Sequence, residues 1–204
     1  MKSILLLIFF STPFSLCYCQ SPDKKVGGGC EDCELMYEGM PDKIFSSVVL
    51  ASPTEPGERM LLSGTIFKKD GIHPASNVIL YVYHTDYKGN YTPAVNQKKA
   101  RRHGQFRGWI KTGADGKYQL STIRPASYPN STIPQHIHPI VKEPGISLYW
   151  IDEFLFDDDP HLTENERKRQ ENRGGSGIIK LHKNKEGVWI GTRDIILGKN
   201  VPGY

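Results

Sequence analysis

The sequence predicts an all-β protein, an antiparallel β-sandwich with one short exposed helix and long loops. Short segments rich in β-branched and aromatic residues recur from about residue 57 to the C-terminus. Turn signals such as "GADG" and "KNKEG" separate these segments at short spacing. The 20 Gly, 14 Pro and 10 Tyr favour strands and turns over helices. Roughly nine segments of this kind are enough for a sandwich or a barrel.

The N-terminal residues 1–19 have the pattern of an export signal. Lys2 supplies the positive charge, and the apolar run "ILLLIFF" at residues 4–10 is too short to span a bilayer. We expect cleavage near Cys19–Gln20 and export to the periplasm or the cell exterior. A lipid anchor on Cys17 or Cys19 is the alternative, and it is disfavoured because bulky residues precede both cysteines. We expect no other membrane attachment.

Residues 20–56 form a lead-in with little periodicity, ahead of the sandwich domain expected at 57–204. The lead-in contains the pair Cys30 and Cys33 in "CEDC". In an exported protein a pair this close most often forms a disulfide, which we expect here as a structural staple. A zinc site would need two more ligands nearby, and none is evident. A thioredoxin-like motif should open a helix after a strand, whereas this pair lies in the Gly-rich lead-in.

The charge pattern argues against a nucleic-acid partner. The chain carries a formal net charge of +4, and no stripe of Lys and Arg interleaves with aromatic residues. The one dense basic run, "KKARR" at residues 98–102, is interpreted as a solvated loop. The sequence carries no signal for an oligomeric state.

Strand segments follow one another along the domain. In order they are "MLLSGTIFK", "NVILYVYHT", "RGWIKT", "KYQLST", "QHIHPIV", "SLYWIDEFLF", "GIIKLHK", "GVWI" and "TRDIIL".

The long segment 152–177 contains the one convincing helix pattern, "LTENERKRQEN". Thr163 with Glu166 forms a capping box at its start, and "RGG" follows its end. The helix has few apolar residues, so we expect an exposed flap that covers the site described below. The run Asp157–Asp159 is a possible calcium site, but a solvated turn before the helix is favoured.

Two histidines, His136 and His138, are the strongest candidates for metal ligands. Residues i and i+2 of a strand face the same side, so two imidazoles can converge on one ion. No cluster of Asp or Glu at metal spacing lies upstream of the pair. Tyrosines do stand nearby: Tyr128 in "RPASYP" and Tyr91 in "YKGNY". A phenol with a pKa near ~10 ionises at neutral pH only beside a strong Lewis acid, so a metal site with these tyrosines would favour ferric iron. From the residues alone, however, both tyrosines are better explained as ordinary half-buried aromatics at strand ends.

Three blocks carry a resemblance to a known family. They are "VILYVYHTDYKGNY", "FRGWIKTGADGKYQLSTIRPASYP" and "PQHIHPIV", in that order. Together they resemble the core of the intradiol ring-cleavage dioxygenases, the family of protocatechuate 3,4-dioxygenase and catechol 1,2-dioxygenase. The resemblance covers about residues 57–203. The chain lacks a counterpart of the helical N-terminal region of the catechol enzymes and looks more like an exported, single-domain branch.

This resemblance implies a ligand set and an activity. Four residues, Tyr91, Tyr128, His136 and His138, would hold a non-haem Fe(III) ion. The implied reaction opens the ring of a small aromatic diol with O2 to give a muconate-type diacid. Tyr128 would be the ligand that leaves when substrate binds, and Tyr91 and Arg124 complete the expected catalytic residues.

One departure from the family pattern affects this implied function. Family members usually place an arginine three residues before the first ligand histidine, where this chain has Ile133. Arg124 and Arg107 are the nearest candidates to replace that cation, and a structural role is favoured for both. Two alternatives therefore stay open: a catalytically weak relative acting as a binding or structural module, and a zinc or copper binder that uses the histidines alone.

Overall fold

The computed structural model describes residues 22–95, 97, 98 and 100–204, with backbone only at residues 100 and 101. The predicted export signal lies outside the described residues. Within them, no helix combines the length and the apolar content needed to cross a membrane.

Twelve strands and one α-helix make up the described part of the chain. They are β1 (Ser47–Val49), β2 (Arg59–Phe67), β3 (Ile79–His84), β4 (Arg107–Lys111), β5 (Lys117–Ile123), β6 (His136–Lys142), β7 (Tyr149–Trp150), β8 (Phe154–Phe156), α1 (Glu164–Arg169), β9 (Ile178–Ile179), β10 (His182–Lys183), β11 (Trp189–Thr192) and β12 (Ile195–Ile196). Two 3₁₀ helices lie at Cys33–Tyr37 and Ala100–His103.

The strands form two six-stranded sheets. The first has the order β1-β5-β2-β11-β10, with β12 also paired to β2, and the second has the order β4-β3-β6-β8-β9, with β7 also paired to β6. The predicted all-β sandwich is confirmed.

The sheets are mixed rather than purely antiparallel. Within the described residues the pairs β1–β5, β2–β11, β2–β12 and β8–β9 are parallel. Parallel neighbours need long connections rather than tight turns. The segment between β8 and β9, which contains α1, is such a crossover, and it is part of the predicted long loop.

The core lies between the two sheets and follows the two-residue alternation of the strands. In the second sheet, Leu80 and Val82 of β3 and Ile137 and Val141 of β6 point inward and are completely buried. Their neighbours along each strand therefore point to the outer face of the same sheet. The two histidines of β6 lie on that outer face.

The lead-in covers part of the outer face. Cys33 and Met36 are buried against Tyr81 and Ile140 of that face. Trp109 donates its indole N–H to the carbonyl oxygen of Met36, with an N···O distance of 2.7 Å. Cys30 and Cys33 form a disulfide. The lead-in is therefore packed onto the domain.

The long segment after β8 has the predicted cap and a shorter helix than expected. The Thr163 hydroxyl accepts the backbone N–H of Glu166 at 3.3 Å, and the helix ends at Arg169. None of its residues is buried, as the sequence indicates. The run Asp157–Asp159 makes separate contacts with Arg167, Arg124 and the backbone N–H of Gln135.

Candidate functional site

The four predicted ligands come from three places in the second sheet and its loops. His136 and His138 lie at the start of β6. Tyr91 lies in the loop after β3, and Tyr128 lies in the loop after β5. The structure brings all four side chains together.

The two tyrosine-bearing loops are joined to each other. The backbone N–H of Ala126 donates to the carbonyl oxygen of Asp86 at 3.1 Å, and the Thr85 hydroxyl donates to the carbonyl oxygen of Ala126 at 2.7 Å. Gly89 has a φ of +83°, and a Cβ at this position would overlap the carbonyl oxygen of Ser127. A glycine is therefore required where the loops touch, and their contact fixes the separation of the two phenols.

The polar atoms of the four side chains converge. The Tyr128 hydroxyl oxygen lies 2.9 Å from that of Tyr91, 3.0 Å from His136 Nε2 and 3.5 Å from His138 Nε2. The two Nε2 atoms are 3.0 Å apart. Two ligand atoms at right angles around one ion, each about 2.1 Å from it, lie ~3.0 Å apart. The spacing matches that of adjacent ligands to a single metal ion.

The hydrogen-bond partners of the imidazoles support the same interpretation. His136 Nδ1 lies 2.7 Å from the carbonyl oxygen of Pro134, which can only accept, so Nδ1 carries the hydrogen and Nε2 a lone pair. His138 Nδ1 faces the Glu153 carboxylate at 3.7 Å, which favours the same tautomer. The two Nε2 lone pairs then point toward the same place, where a cation or the hydrogen of the Tyr128 hydroxyl can be shared between them.

Burial sets the protonation of these groups in the free protein. Desolvation raises the pKa of both the Tyr91 and the Tyr128 phenol above the ordinary range. Desolvation and the nearby His138 lower the pKa of His136 to about 4. At neutral pH the site therefore offers a neutral imidazole and two phenols, and only a strong Lewis acid would ionise the phenols.

Comparison with known proteins identifies the family. A family model described as dioxygenase matches residues 42–173, more than half of the chain. The chain belongs to the intradiol dioxygenase family. The matched range contains all four converging residues of this family member.

Several relatives have related names. Catechol 1,2-dioxygenase 2 of Acinetobacter lwoffii is 27% identical over 134 residues, which cover 55% of this chain and 45% of the relative. The protocatechuate 3,4-dioxygenase beta chain of Burkholderia cepacia is 33% identical over 89 residues, which cover 40% of this chain and 37% of the relative. The chain thus spans less than half of the length of these two proteins.

Solved structures share the fold. The dioxygenase domain of a dioxygenase carbohydrate-binding protein fusion from Streptomyces sp. SirexAA-E has a TM-score of 0.58 and 26% identity, covering 78% of this chain and 94% of that domain. Catechol 1,2-dioxygenase from Acinetobacter sp. ADP1 has a TM-score of 0.59 and 22% identity, covering 78% of this chain and 58% of that one, a likeness of fold alone.

A cavity of about 600 Å³ opens onto the converging atoms of this intradiol dioxygenase family member. Its lining comprises Glu31, Asp32, Tyr83, Tyr91, Arg102, His103, Tyr128 and His138. A smaller adjoining cavity of about 260 Å³ shares Tyr128 and His138 with it and also touches His136, and it includes Ile133, Glu166 and Gln170. The predicted flap therefore lies beside the site.

Arg124 lies away from this cavity. Its guanidinium forms two hydrogen bonds of 2.8 Å to the Asp158 carboxylate and a third, of 2.7 Å, to Gln135 Oε1. It also stacks over the rings of Phe156 and Trp189. The structure does not bring Arg124 to the predicted ligands, because an acidic partner 34 residues away in sequence holds it. Its contacts are those of a structural residue.

Arg107 is also engaged elsewhere. It donates to the carbonyl oxygen of Glu38 at 2.8 Å and to the Tyr81 hydroxyl at 3.3 Å, so it fastens the lead-in to the sheet. Ile133 lies at the edge of the smaller cavity, half exposed. Neither arginine lines the cavities that contain the four predicted ligands.

Sequence reasoning missed several residues of the site. The Tyr83 ring stacks on His138, with centroids 4.6 Å apart, and on His103 at 3.8 Å. The alternation of Tyr81 and Tyr83 in β3 would have placed both on the outer face. Arg102, from the basic run interpreted as a solvated loop, and the two acidic residues of "CEDC" also line the cavity, and no local pattern indicates this.

Proposed function

We propose that this protein is a non-haem Fe(III) intradiol dioxygenase that cleaves a catechol-type ring with O2 to a muconate-type diacid. The supporting observation is the cluster of two phenol oxygens and two imidazole Nε2 atoms, with separations of 2.9–3.5 Å. Two neutral imidazoles and two phenolates form a ligand set with charge 2−, which favours a trivalent ion. Membership of the intradiol family supports the same ion and reaction class.

Tyr91, Tyr128, His136 and His138 would hold the ion, which when bound would act as a Lewis acid and a template for both oxygens of the diol. Among the four, Tyr128 is best placed to take up a substrate proton. Its side chain lines both the large cavity and the smaller adjoining one, whereas Tyr91 lines only the large one. Tyr128 therefore has room to move when the diol enters, and its phenolate oxygen is a suitable base.

Other residues would hold the ligands in orientation. The carbonyl oxygen of Pro134 and the Glu153 carboxylate face the Nδ1 atoms and so direct both Nε2 atoms inward. The Tyr83 ring stacks on His138 and limits its rotation. The cavity of about 600 Å³ is in the range of small-molecule sites.

The proposal is tested with protein purified in the presence of iron. Ferric tyrosinate absorbs visible light, so the protein should be red-brown, with close to one iron per chain. Oxygen uptake and product mass with catechol, hydroxyquinol and protocatechuate then test ring cleavage. A colourless protein with iron absent after loading would contradict the proposal.

A second candidate function follows from Ile133, which stands at the edge of the smaller cavity where the family usually has an arginine. In this case the chain would be a binding module that keeps the iron but turns over slowly. Red-brown protein that binds catechol without consuming oxygen would support it.

The remaining alternative is a zinc or copper protein that uses the histidines alone. Such a protein would retain its metal after Tyr91→Phe.

We also propose that the chain is exported. The Cys30–Cys33 disulfide supports this, because such bonds persist in oxidising compartments. The mass of the mature protein tests cleavage near Cys19–Gln20, and an intact N-terminus on protein from the cell interior would argue against it.

A further inference from the structure

An acidic turn forms one wall of the large cavity. Glu31 and Asp32 lie between the two cysteines of the Cys30–Cys33 disulfide, and both line the cavity with Tyr91 and Tyr128. The turn belongs to the lead-in, far in sequence from the strand that carries the histidines.

The charge of the cavity surroundings is negative. Arg102 is the one Lys or Arg among the described lining residues, and its guanidinium already pairs with Asp32 at 2.6 Å and with Glu31 at 3.5 Å. Two adjoining cavities that reach His138 add Glu153 and Glu166, and their described linings contain no Lys or Arg, although Glu166 pairs with Arg169 of the same helix. This local excess of acid contrasts with the formal charge of +4 of the whole chain.

The acidic turn is held in place on both sides. The Trp150 indole N–H donates to the carbonyl oxygen of Gly29 at 3.1 Å, just before the turn. After the turn, Cys33 and Met36 are buried against the outer face of the second sheet. The Asp32 side chain is only 25% exposed, so its charge is partly shielded from solvent. Because the Glu31 side chain is 85% exposed, Asp32 is the fixed part of the negative wall that a ligand in the cavity meets.

We propose that Glu31 and Asp32 select substrates by charge, so that catechols with a neutral or cationic ring substituent are favoured over those with a carboxylate. A carboxylate substituent would lie near two like charges, while an ammonium group would pair with them. Ile133, which lines the smaller adjoining cavity, supplies no compensating cation. This inference rests on the proposed ring-cleavage function and names its substrate class.

The test uses three catechols of similar size. They are dopamine, 4-ethylcatechol and 3-(3,4-dihydroxyphenyl)propionate, which are cationic, neutral and anionic at neutral pH. For iron-loaded protein, kcat/KM is measured from oxygen uptake, and Kd is measured by calorimetry without oxygen. Because the wall is partly solvated, we expect a cation-to-anion preference of about tenfold in both quantities, decreasing with added salt.

The variant E31Q/D32N removes both charges and frees Arg102. Its preference should decrease by about tenfold, towards parity or reversal. The matched control E34Q/D42N makes the same change in net charge at two exposed positions outside this cavity, and it should keep the wild-type preference. Equal Kd values for the three catechols, or an unchanged preference in E31Q/D32N, would overturn the inference.

Failure of the proposed function gives a different result. If no catechol is cleaved, the ring-cleavage function is wrong, and the oxygen-free Kd values still decide charge selection. If 4-ethylcatechol is cleaved without any charge preference, the ring-cleavage function stands and the charge selection is wrong. If none of the three binds, both are wrong.

Discussion

The two faces of the second sheet differ in chemistry although they share the same strands. Toward the first sheet, β3 and β6 present Leu80, Val82, Ile137 and Val141, which are all completely buried and apolar. Toward the outside, the same strands present tyrosine and histidine rings that stack on one another. Neighbouring residues in β6 therefore contribute either to the core or to the site.

This difference teaches that residues for stability and residues for the proposed metal binding alternate along the same strand, one position apart. On the inner face, hydrophobic burial stabilises the fold, and the loss of even one methylene lowers the free energy of unfolding. Ligand geometry acts on the outer face, where the loops and the lead-in provide the surroundings. Substitutions on opposite faces should therefore give opposite profiles of stability and iron content.

The largest expected effect is on iron retention in His136→Ala. Losing a ligand should cost more than the roughly 10–100-fold that loss of a supporting residue costs, so we expect colourless, iron-free protein. Metal analysis and visible absorption measure the result. The midpoint of urea unfolding of metal-free protein should change little. Full iron content in this variant would remove His136 from the ligand set.

Substitution of the next residue, Ile137→Ala, should have the opposite profile. Because Ile137 is fully buried in the core, we expect a loss of about 2–5 kcal/mol in the free energy of unfolding. Iron content in buffer should stay close to wild type. Urea unfolding followed by fluorescence measures the loss, with Ile137→Val as the milder control. Loss of iron without loss of stability would break the separation of the two faces.

A smaller effect is expected at Glu153, which touches His138 without being a predicted ligand. Glu153→Gln weakens the hold on His138 Nδ1, and we expect iron affinity to decrease by about 10–100-fold. Competition with a chelator measures the affinity, and Glu186→Gln, at an exposed position, is the control. An unchanged affinity would show that the 3.7 Å contact does not orient the imidazole.

The smallest expected effect is at Arg124. Arg124→Gln removes the hydrogen bonds to Asp158 and the stacking on Trp189, which should cost about 1–3 kcal/mol of stability. The ratio kcat/KM for 4-ethylcatechol should remain at the wild-type value, since Arg124 does not line the cavity. A large decrease in kcat with stability preserved would restore Arg124 as a catalytic residue.

The strands and the four converging residues could be predicted from the sequence, because both depend on local patterns. Alternation in "QHIHPIV" places both histidines on one face, and the ordered family blocks point to Tyr91 and Tyr128. The position of the Arg124 side chain depends on its hydrogen bonds to Asp158, and no local sequence pattern predicts that pairing. The same holds for the lead-in, which is fastened by contacts across about seventy residues, such as Trp109 with Met36.

The parallel strand pairs could not be predicted from local patterns either. A strand such as β1 has three residues, and its partner β5 lies far along the chain. Whether a short segment joins an edge in parallel or antiparallel direction depends on the route of the connection, which residue composition does not specify.

The disulfide-closed turn has a consequence for protein engineering. It supplies part of the cavity wall but none of the four converging side chains, and it reaches the site from a segment that precedes all the strands. Exchanging residues 29–34 for those of another family member should change which molecules enter the cavity while leaving the four proposed iron ligands in place. The turn is in that sense a replaceable segment, because it lines the cavity without belonging to the strands and loops that hold the four converging side chains.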